Sequence, residues 1–494
     1  MRVLSGFHKR RDLARDAGQL ADTGIAGTPI HYRFFWPTAR WLAATYPALL
    51  TLDWSEAEFA ERLAAALPFL VTPAEAEALR RRELPPREAI DALRAARETD
   101  ATFLVRRIEE LEGGDRIREA THDALDLAYR LSGSSSGPSR TLAHFAGAPF
   151  AFRSAPPERS RPSLAEELER PPRSVRELSP VDGARLRDLA RSAMVTRSRD
   201  LDAFAYGDPS DALLVDDGDG LAFAFIGVLP DRRLFLPAVY GALSLRNGVP
   251  IGYVQLDVLF GNAEVSFNTF ETFRGGEAGF VFCRLLAAAH RVFGVNTFSI
   301  EPYQLGRGNE EAILSGAWWF YARFGFRPRD AAISRLARTE LAKRSRDPGY
   351  RSGAKTLSKL ATGHVFWPKE RRRSVVISPI VPVGIAISRN IARASGAGLG
   401  ATLAACDARA RKRLGVRSFQ GWSATERLWW LRWAPMIDAL PGVLRWSTDE
   451  RRALVAIVRA KGRRRERDYA RLFDAHPRLV AAVLSLARGR PRLR

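Results

Sequence analysis

The sequence predicts an α+β fold, mixed overall, in which a central domain built on a mixed sheet is flanked by an N-terminal and a C-terminal helical domain. Three observations predict it. Residues 1 to about 131 carry helix-start signals and apolar residues at helical spacing. Between residues 212 and 273, five apolar runs follow one another with turn residues between them, as strands of one sheet would. From Gly279 onward the pattern changes to helix, strand, helix, and that crossover requires a parallel or mixed part of the sheet.

In the first region, Thr72-Pro73-Ala74-Glu75 places a capping hydroxyl, a proline at the first helical position and a returning carboxylate in the order of a capping box. Ser55 and Glu58 have the same spacing one helix earlier. Residues 87–112 read as one long helix ending at Gly113-Gly114, and the region as a whole, 1–131, reads as all-α. Breakers at Ser132-Gly133-Ser134-Ser135-Ser136-Gly137-Pro138, followed by proline and arginine clusters, make 132–178 a linker.

The sheet domain is expected over 179–335. A helix over 182–198 precedes strands at 212–215, 221–228, 234–245, 249–260 and 263–273, and Asn247-Gly248 is a strong hairpin signal. A helix over 279–293, a strand over 295–300 and a helix over 309–324 complete it. The last region, 336–494, reads as basic and helical, with Ser447 and Glu450 framing one helix start and Trp422, Trp429, Trp430, Trp433 and Trp446 close together.

The net charge is +22, yet residues 331–494 hold 36 Lys and Arg against 11 Asp and Glu, so the basicity belongs to the C-terminal third. RNA or another anionic surface is the candidate partner for that third, while burial in helix cores is the plainer reading of its tryptophans. Cys283 and Cys406 are the only cysteines, which excludes a disulfide framework and any cysteine-based metal spacing and fits a reducing cytoplasm. No metal is expected. No secretory signal is read at the N-terminus, and the apolar run 375–387, broken by Pro379 and Pro382, is shorter than the roughly 20 residues a membrane span needs, so no transmembrane segment is expected.

The chemistry concentrates between Glu264 and Pro328. At Arg274-Gly275-Gly276-Glu277-Ala278-Gly279, a glycine loop leads from a strand into a helix, leaving backbone N–H groups at a helix N-terminus where a phosphate can sit. This loop resembles the acyl-CoA-binding loop of the GNAT superfamily of N-acetyltransferases, with Arg274 and Gly279 matching its pattern and Glu277 standing in place of the middle glycine. Ala317, Tyr321, Gly325 and Phe326 reproduce the family's Ala, Tyr, Gly-Phe ending. The likeness covers roughly residues 180–330.

The resemblance implies acyl-CoA, acetyl-CoA in the first instance, as co-substrate, held by Arg274, Gly275, Gly276, Ala278 and Gly279. It implies transfer to a small-molecule or peptide amine by direct attack on the thioester. Tyr321 would protonate or stabilise the leaving thiolate; alternatively it packs with Trp318, Trp319 and Phe320 as an aromatic helix face. An attacking amine needs a base, and Glu271 and Glu301, with Glu264, are the candidates. Backbone N–H groups around residues 268–271 are candidates for an oxyanion hole. The family's Asn before the second helix is displaced here: Asn309 lies too far upstream and Leu314 takes its spacing, which lengthens the loop 301–308.

Two other functions fit the same residues: an aminoacyl or acyl transferase acting on a tRNA-linked or envelope precursor, and a non-catalytic GNAT-like binding module. Gly396-Ala397-Gly398-Leu399-Gly400-Ala401 matches a dinucleotide fingerprint but follows no clear strand. His290 and Cys283 read as packed rather than catalytic.

Overall fold

Asn247 and Gly248 adopt φ values of 50° and 78°, the left-handed pair that a two-residue hairpin turn demands. That turn joins two long strands at the centre of the molecule's main sheet. The computed structural model describes residues 28–488 except 56, 134–136, 139, 141–142, 153–161, 276, 369–376, 378 and 395–397. The chain divides into two compact units, residues 1–146 with 185–207, and residues 147–184 with 208–494.

The first unit contains β1 (Ile30–Tyr32), α1 (Trp36–Thr45), β2 (Leu50–Leu52), α2 (Ala57–Leu70), α3 (Pro73–Arg82), α4 (Pro86–Leu93), α5 (Asp100–Glu109), α6 (Asp115–Leu125) and β3 (Tyr129–Leu131). It is therefore not all-α. The three strands pair antiparallel in the order β1-β3-β2, and at three residues each they are too short to show a two-residue alternation in sequence. The capping box at Thr72 and Glu75 forms with both reciprocal bonds. The single helix expected over 87–112 is instead two, because Arg94 turns extended and Thr99, bonded to Thr102, starts α5 afresh. Trp36, Phe59, Phe103 and Tyr129 fill the core.

Next in the chain come α7 (Leu164–Glu169), β4 (Ser174–Glu177), α8 (Pro180–Val195) and α9 (Asp202–Ala205). The expected linker 132–178 thus supplies a helix and a strand: β4 pairs antiparallel with the strand over Gly207–Gly218, and Leu164 and Leu168 lie in the second unit's core. Proline and arginine content hid them, since the elements are only six and four residues long.

Among the described residues the second unit's sheet has nine strands. After β4 come β5 (Gly207–Gly218), β6 (Leu221–Val228), β7 (Ala238–Arg246), β8 (Val249–Leu259), β9 (Asn262–Thr269), β10 (Thr297–Ile300), β11 (Arg327–Pro328) and β12 (Val365–Pro368), in the spatial order β11-β12-β10-β9-β8-β7-β6-β5-β4. The β6–β7, β7–β8 and β8–β9 pairs are antiparallel, whereas β9 and β10 run parallel, joined across the sheet by α10 (Ala278–Phe293). Between β10 and β11 lie α11 (Pro302–Leu305), α12 (Glu310–Ser315) and α13 (Ala317–Ala322). The one helix expected over 309–324 is split by Gly316 at φ 66°. The last strand expected, 263–273, stops at Thr269 and gives way to a 3₁₀ turn over Glu271–Phe273.

The boundary expected at 335 is crossed by both sheet and core. After α14 (Ala331–Arg346) and α15 (Ala354–Leu360), β12 returns to pair antiparallel with β10 and β11. The remaining helices are α16 (Ile380–Ala394), α17 (Leu399–Leu414), α18 (Ala424–Ala439), α19 (Thr448–Lys461), α20 (Glu466–Asp474) and α21 (Pro477–Arg488). Their Trp429, Trp430 and Trp433 are buried in the same hydrophobic cluster as Phe223, Tyr240 and Phe293 of the sheet and α10. Charge changed at 335 while packing did not, because the arginines lie mainly on the helices' outer faces. Part of the apolar run 375–387 lies outside the described residues; residues 380–387 belong to α16.

Candidate active site

β9 and β10 are held together for only three residue pairs, Asn262 to Thr297 through Glu264 to Ser299. Past that point β9 continues to Thr269 beside β8 alone, while the chain after β10 turns into α11. A gap opens between two parallel neighbours. Phe270 N donates to Ile251 O of β8, so by the two-residue alternation of an antiparallel strand the amides of Ser266 and Asn268 face β8 and those of Phe267 and Thr269 face the gap. Of residues 268–271, expected to offer oxyanion donors, Thr269 turns its amide to the gap while Asn268 and Phe270 turn theirs to β8, and Phe267 joins Thr269 on the gap side. Thr269 Oγ1 is buried and has no hydrogen-bond partner among the described residues.

One face of the sheet beside the gap is acidic. Asp257 opposes Glu264 across β8 and β9, and Glu264 opposes Ser299 across β9 and β10, so the three side chains share a face. The two-residue period adds Gln255, Ser266 and Glu301 to it. Glu301 Oε1 lies 3.4 Å from Ser266 Oγ, Glu264 Oε2 lies 3.2 Å from His364 Nε2, and Gln255 Nε2 donates to Asp257 Oδ1 at 3.2 Å. Burial raises the Glu301 carboxyl above its ordinary range; Glu264 adds to the effect, and Ser266, His364 and Gln304 oppose it. Burial, with Glu264, Glu301 and Glu466 nearby, pushes Asp257 up to about 7. Among the described residues, no group of three or more His, Cys, Asp or Glu is placed to hold a metal.

Tyr321 approaches from the other face, where α10 packs. Its ring meets Phe282 of α10 at 5.6 Å and Phe326 at 6.1 Å, and Phe320 beside it stacks on Phe267 of β9. The side chain is buried, and that burial together with the Glu301 carboxylate raises the phenol above its ordinary value, keeping it protonated at neutral pH. The aromatic packing read for this helix is thus present as well. Gly325 ends the turn at φ 96°, where a Cβ would lie 3.2 Å from the Trp367 indole, so β12 closes against a residue that must be glycine.

The glycine loop lies at the N-terminus of α10. Gly275 N donates to Phe273 O and Ala278 N to Gly275 O, so these two amides serve the loop itself; Gly276 lies outside the described residues. Val281 N bonds Glu277 O, and among the described residues the first-turn amides of Gly279 and Phe280 ahead of it have no such partner. A Cβ at Gly279 would come within 2.9 Å of Phe324 Cζ and 3.9 Å of Arg323 Nη2. The Arg323 guanidinium therefore lies against the first turn of α10. Glu277 is drawn aside, with Arg246 Nη2 3.5 Å from its carboxylate, and Arg274 bridges Thr269 O and Glu311 at 3.0 and 2.6 Å.

The expected bases separate. Glu301 stands half-buried at the gap, whereas Glu271 is exposed in the 3₁₀ turn. Residues not expected from sequence are Asp257, His364 and Arg323. Asp257 is foreshadowed by the alternation Tyr253, Gln255, Asp257, and His364 lies beyond the boundary drawn at 335. Asn309 caps α12 through Ala312 N. His290 bonds Val295 O, and burial pushes Cys283 up to about 12, so neither is poised for chemistry.

The basic run of the C-terminal third is committed internally. Arg463 pairs with Glu426, while Arg464, Arg465 and Arg467 all converge on Glu177 of β4. No helix among the described residues is long and apolar enough to cross a membrane. In comparisons with protein families, curated proteins and solved structures, nothing matches this chain.

Proposed function

We propose that this chain is an acyl-CoA-dependent N-acyltransferase with a GNAT-like central domain, transferring an acyl group, acetyl in the first instance, to an amine. The observation that carries the reading is the parting of β9 from β10, with Glu301 on the acidic face of the sheet there and Tyr321 packed against α10 on the opposite face, near enough for the Glu301 charge to raise its phenol. The residues fit a thioester donor. The gap-facing edge of β9, with the amides of Phe267 and Thr269, offers hydrogen bonds to an amide-bearing arm. The first turn of α10, with Gly279 and Arg323 beside it, offers donors and positive charge to its pyrophosphate.

In this reading Glu301, raised by burial, takes a proton from the amine as its nitrogen attacks the thioester carbonyl. The Phe267 and Thr269 amides stabilise the oxyanion. The C–N bond forms and the C–S bond breaks, and the thiolate leaves against the Tyr321 hydroxyl. A phenol held so far on the protonated side is a hydrogen-bond donor to sulfur rather than a ready acid, so the thiolate takes its proton from water, and Glu301 gives the amine proton back to the hydroxide left behind.

CoA binding and thiol release test the reading. CoA at a hundredfold excess over its Kd should stabilise the protein by about 2.7 kcal/mol. Tyr321→Phe should lower thiol release from acetyl-CoA in the presence of amines while leaving that stabilisation intact. CoA stabilisation without turnover for any amine would favour the non-catalytic module, and no stabilisation would overturn both.

A further inference from the structure

A second concavity lies behind α13, between that helix, α14 and α15, with a volume of about 1280 Å³. Among the described residues six arginines line it, Arg323, Arg327, Arg335, Arg338, Arg344 and Arg351, and no carboxylate does. The sequence places Ser334, Arg335, Ala337, Arg338, Leu341 and Arg344 on one face of α14, which is the face turned to the cavity. Leu314, Leu341 and Leu357 supply apolar wall.

The guanidinium groups are not equally occupied. Arg327 and Arg351 donate to backbone carbonyls, and Arg344 lies 4.6 Å over the Trp319 ring. That ring is fixed in turn, because Trp319 Nε1 donates to Ser352 Oγ, which donates to buried Glu340. Arg335 and Arg338 are exposed, and among the described residues neither has an ion-pair partner. Gathering this much like charge around one hollow is self-repulsive unless an anion enters it. Planar guanidinium forks match phosphate oxygens two at a time. A pocket of this size exceeds the roughly 300–1,000 Å³ typical of small-ligand sites, so the ligand has room for several such groups.

We propose that this pocket binds a soluble small molecule carrying two or more phosphate groups on a partly apolar body. The inference stands on the pocket's own charge and does not rest on acyl transfer. The ligand has two chemical sources: the nucleotide end of a CoA donor reaching past Arg323, or a separate phosphorylated compound.

The test is isothermal titration with inorganic pyrophosphate, with inorganic tripolyphosphate and with CoA, on the full-length protein. The Arg335→Glu/Arg338→Glu double variant changes two exposed side chains and should fold normally; Arg452→Glu, on exposed α19 surface, is the control. Both inorganic anions should bind the wild type and the control, tripolyphosphate the more tightly, and weaken at least tenfold in the double variant. A parallel loss of CoA affinity assigns the pocket to the donor, and unchanged CoA affinity assigns it to a separate ligand. The proposal is overturned if neither anion binds, or if Arg323→Glu abolishes binding while the double variant leaves it intact, which would put the anion at the α10 loop alone. Binding of single-stranded RNA or of anionic vesicles in place of the small anions would overturn it equally.

Discussion

Lys461 Nζ lies 2.5 Å from Glu466 Oε1, and both side chains are fully sealed from solvent. The ammonium also donates to Leu236 O and Pro237 O and sits 4.2 Å above the Tyr469 ring. Glu466 Oε2 accepts from Val239 N at the start of β7. Around them Arg233 donates to the carbonyls of Lys461, Arg463 and Arg464, and Asp211 accepts from Glu466 N and from the Tyr240 hydroxyl. What reads in sequence as a basic tract is thus a joint that fastens α19 and α20 to the sheet.

Breaking that pair from one side should be costly. Glu466→Gln or Lys461→Met leaves one buried charge without its partner, which typically costs about 3–5 kcal/mol. Removing both, as Lys461→Met/Glu466→Leu, should cost less than the sum of the two single changes. Urea unfolding of the three variants measures this, and additive losses would show that the two residues act independently.

Asp257 should make stability depend on pH. Its folded-state carboxyl titrates at about 7 against an ordinary 3.8, so the folded protein holds a proton that the unfolded chain releases as pH rises. Stability from this group therefore falls between about pH 4 and pH 7, is unaffected below that window, and carries the full cost above it. Asp257→Asn should gain on wild type by on the order of 2–4 kcal/mol between pH 4 and pH 8. Thermal melts at the two pH values give the comparison, and an equal difference at both would refute the assignment.

Gly279 should resist enlargement. Alanine would gain up to ~1 kcal/mol of helix propensity. Its Cβ, however, 2.9 Å from Phe324 Cζ, would force that ring and the neighbouring Arg323 away from the loop, an overpacking that typically costs about 1–3 kcal/mol. Gly279→Ala should lose roughly 1 kcal/mol net in chemical unfolding, and the stabilisation conferred by CoA should shrink. Gly384→Ala in α16, whose Cβ would meet nothing within 4 Å and which lies outside the glycine loop, is the matched control.

Local signals were read correctly where one short stretch contains the whole cause. The Asn247-Gly248 turn, the capping boxes at Thr72 and Ser447, and β6 over Leu221–Val228 are of this kind. The position of Glu301 just after β10 and of the glycine loop between β9 and α10 were legible for the same reason. His364 was not, because its place beside Glu264 depends on β12, a four-residue strand whose pairing with β10 is decided by partners more than sixty residues away. Arg323 was hidden differently: its position beside Gly279 follows from the break at Gly316 and the turn at Gly325, which set where α13 ends. The C-terminal charge misled in the other direction, since composition counts guanidinium groups without showing that Glu177 and Glu426 already engage several of them.

The sharpest consequence of the acidic face concerns rate against pH. If Glu301 is the base, only its ionised form accepts the amine proton, so turnover should rise with pH along a limb set above the ordinary glutamate range. The neighbours fix the sign of each perturbation. Glu264 raises the Glu301 carboxyl, so Glu264→Gln should move the limb to lower pH; His364, when protonated, lowers it, so His364→Ala should move the limb to higher pH. Glu301→Gln should reduce kcat by roughly 10²–10⁴-fold and remove the limb, leaving CoA affinity near wild type. Thiol release followed from pH 5 to pH 9 measures all four proteins. Limbs that stay in place in the Glu264 and His364 variants would exclude Glu301 as the titrating base and return Glu271 to consideration.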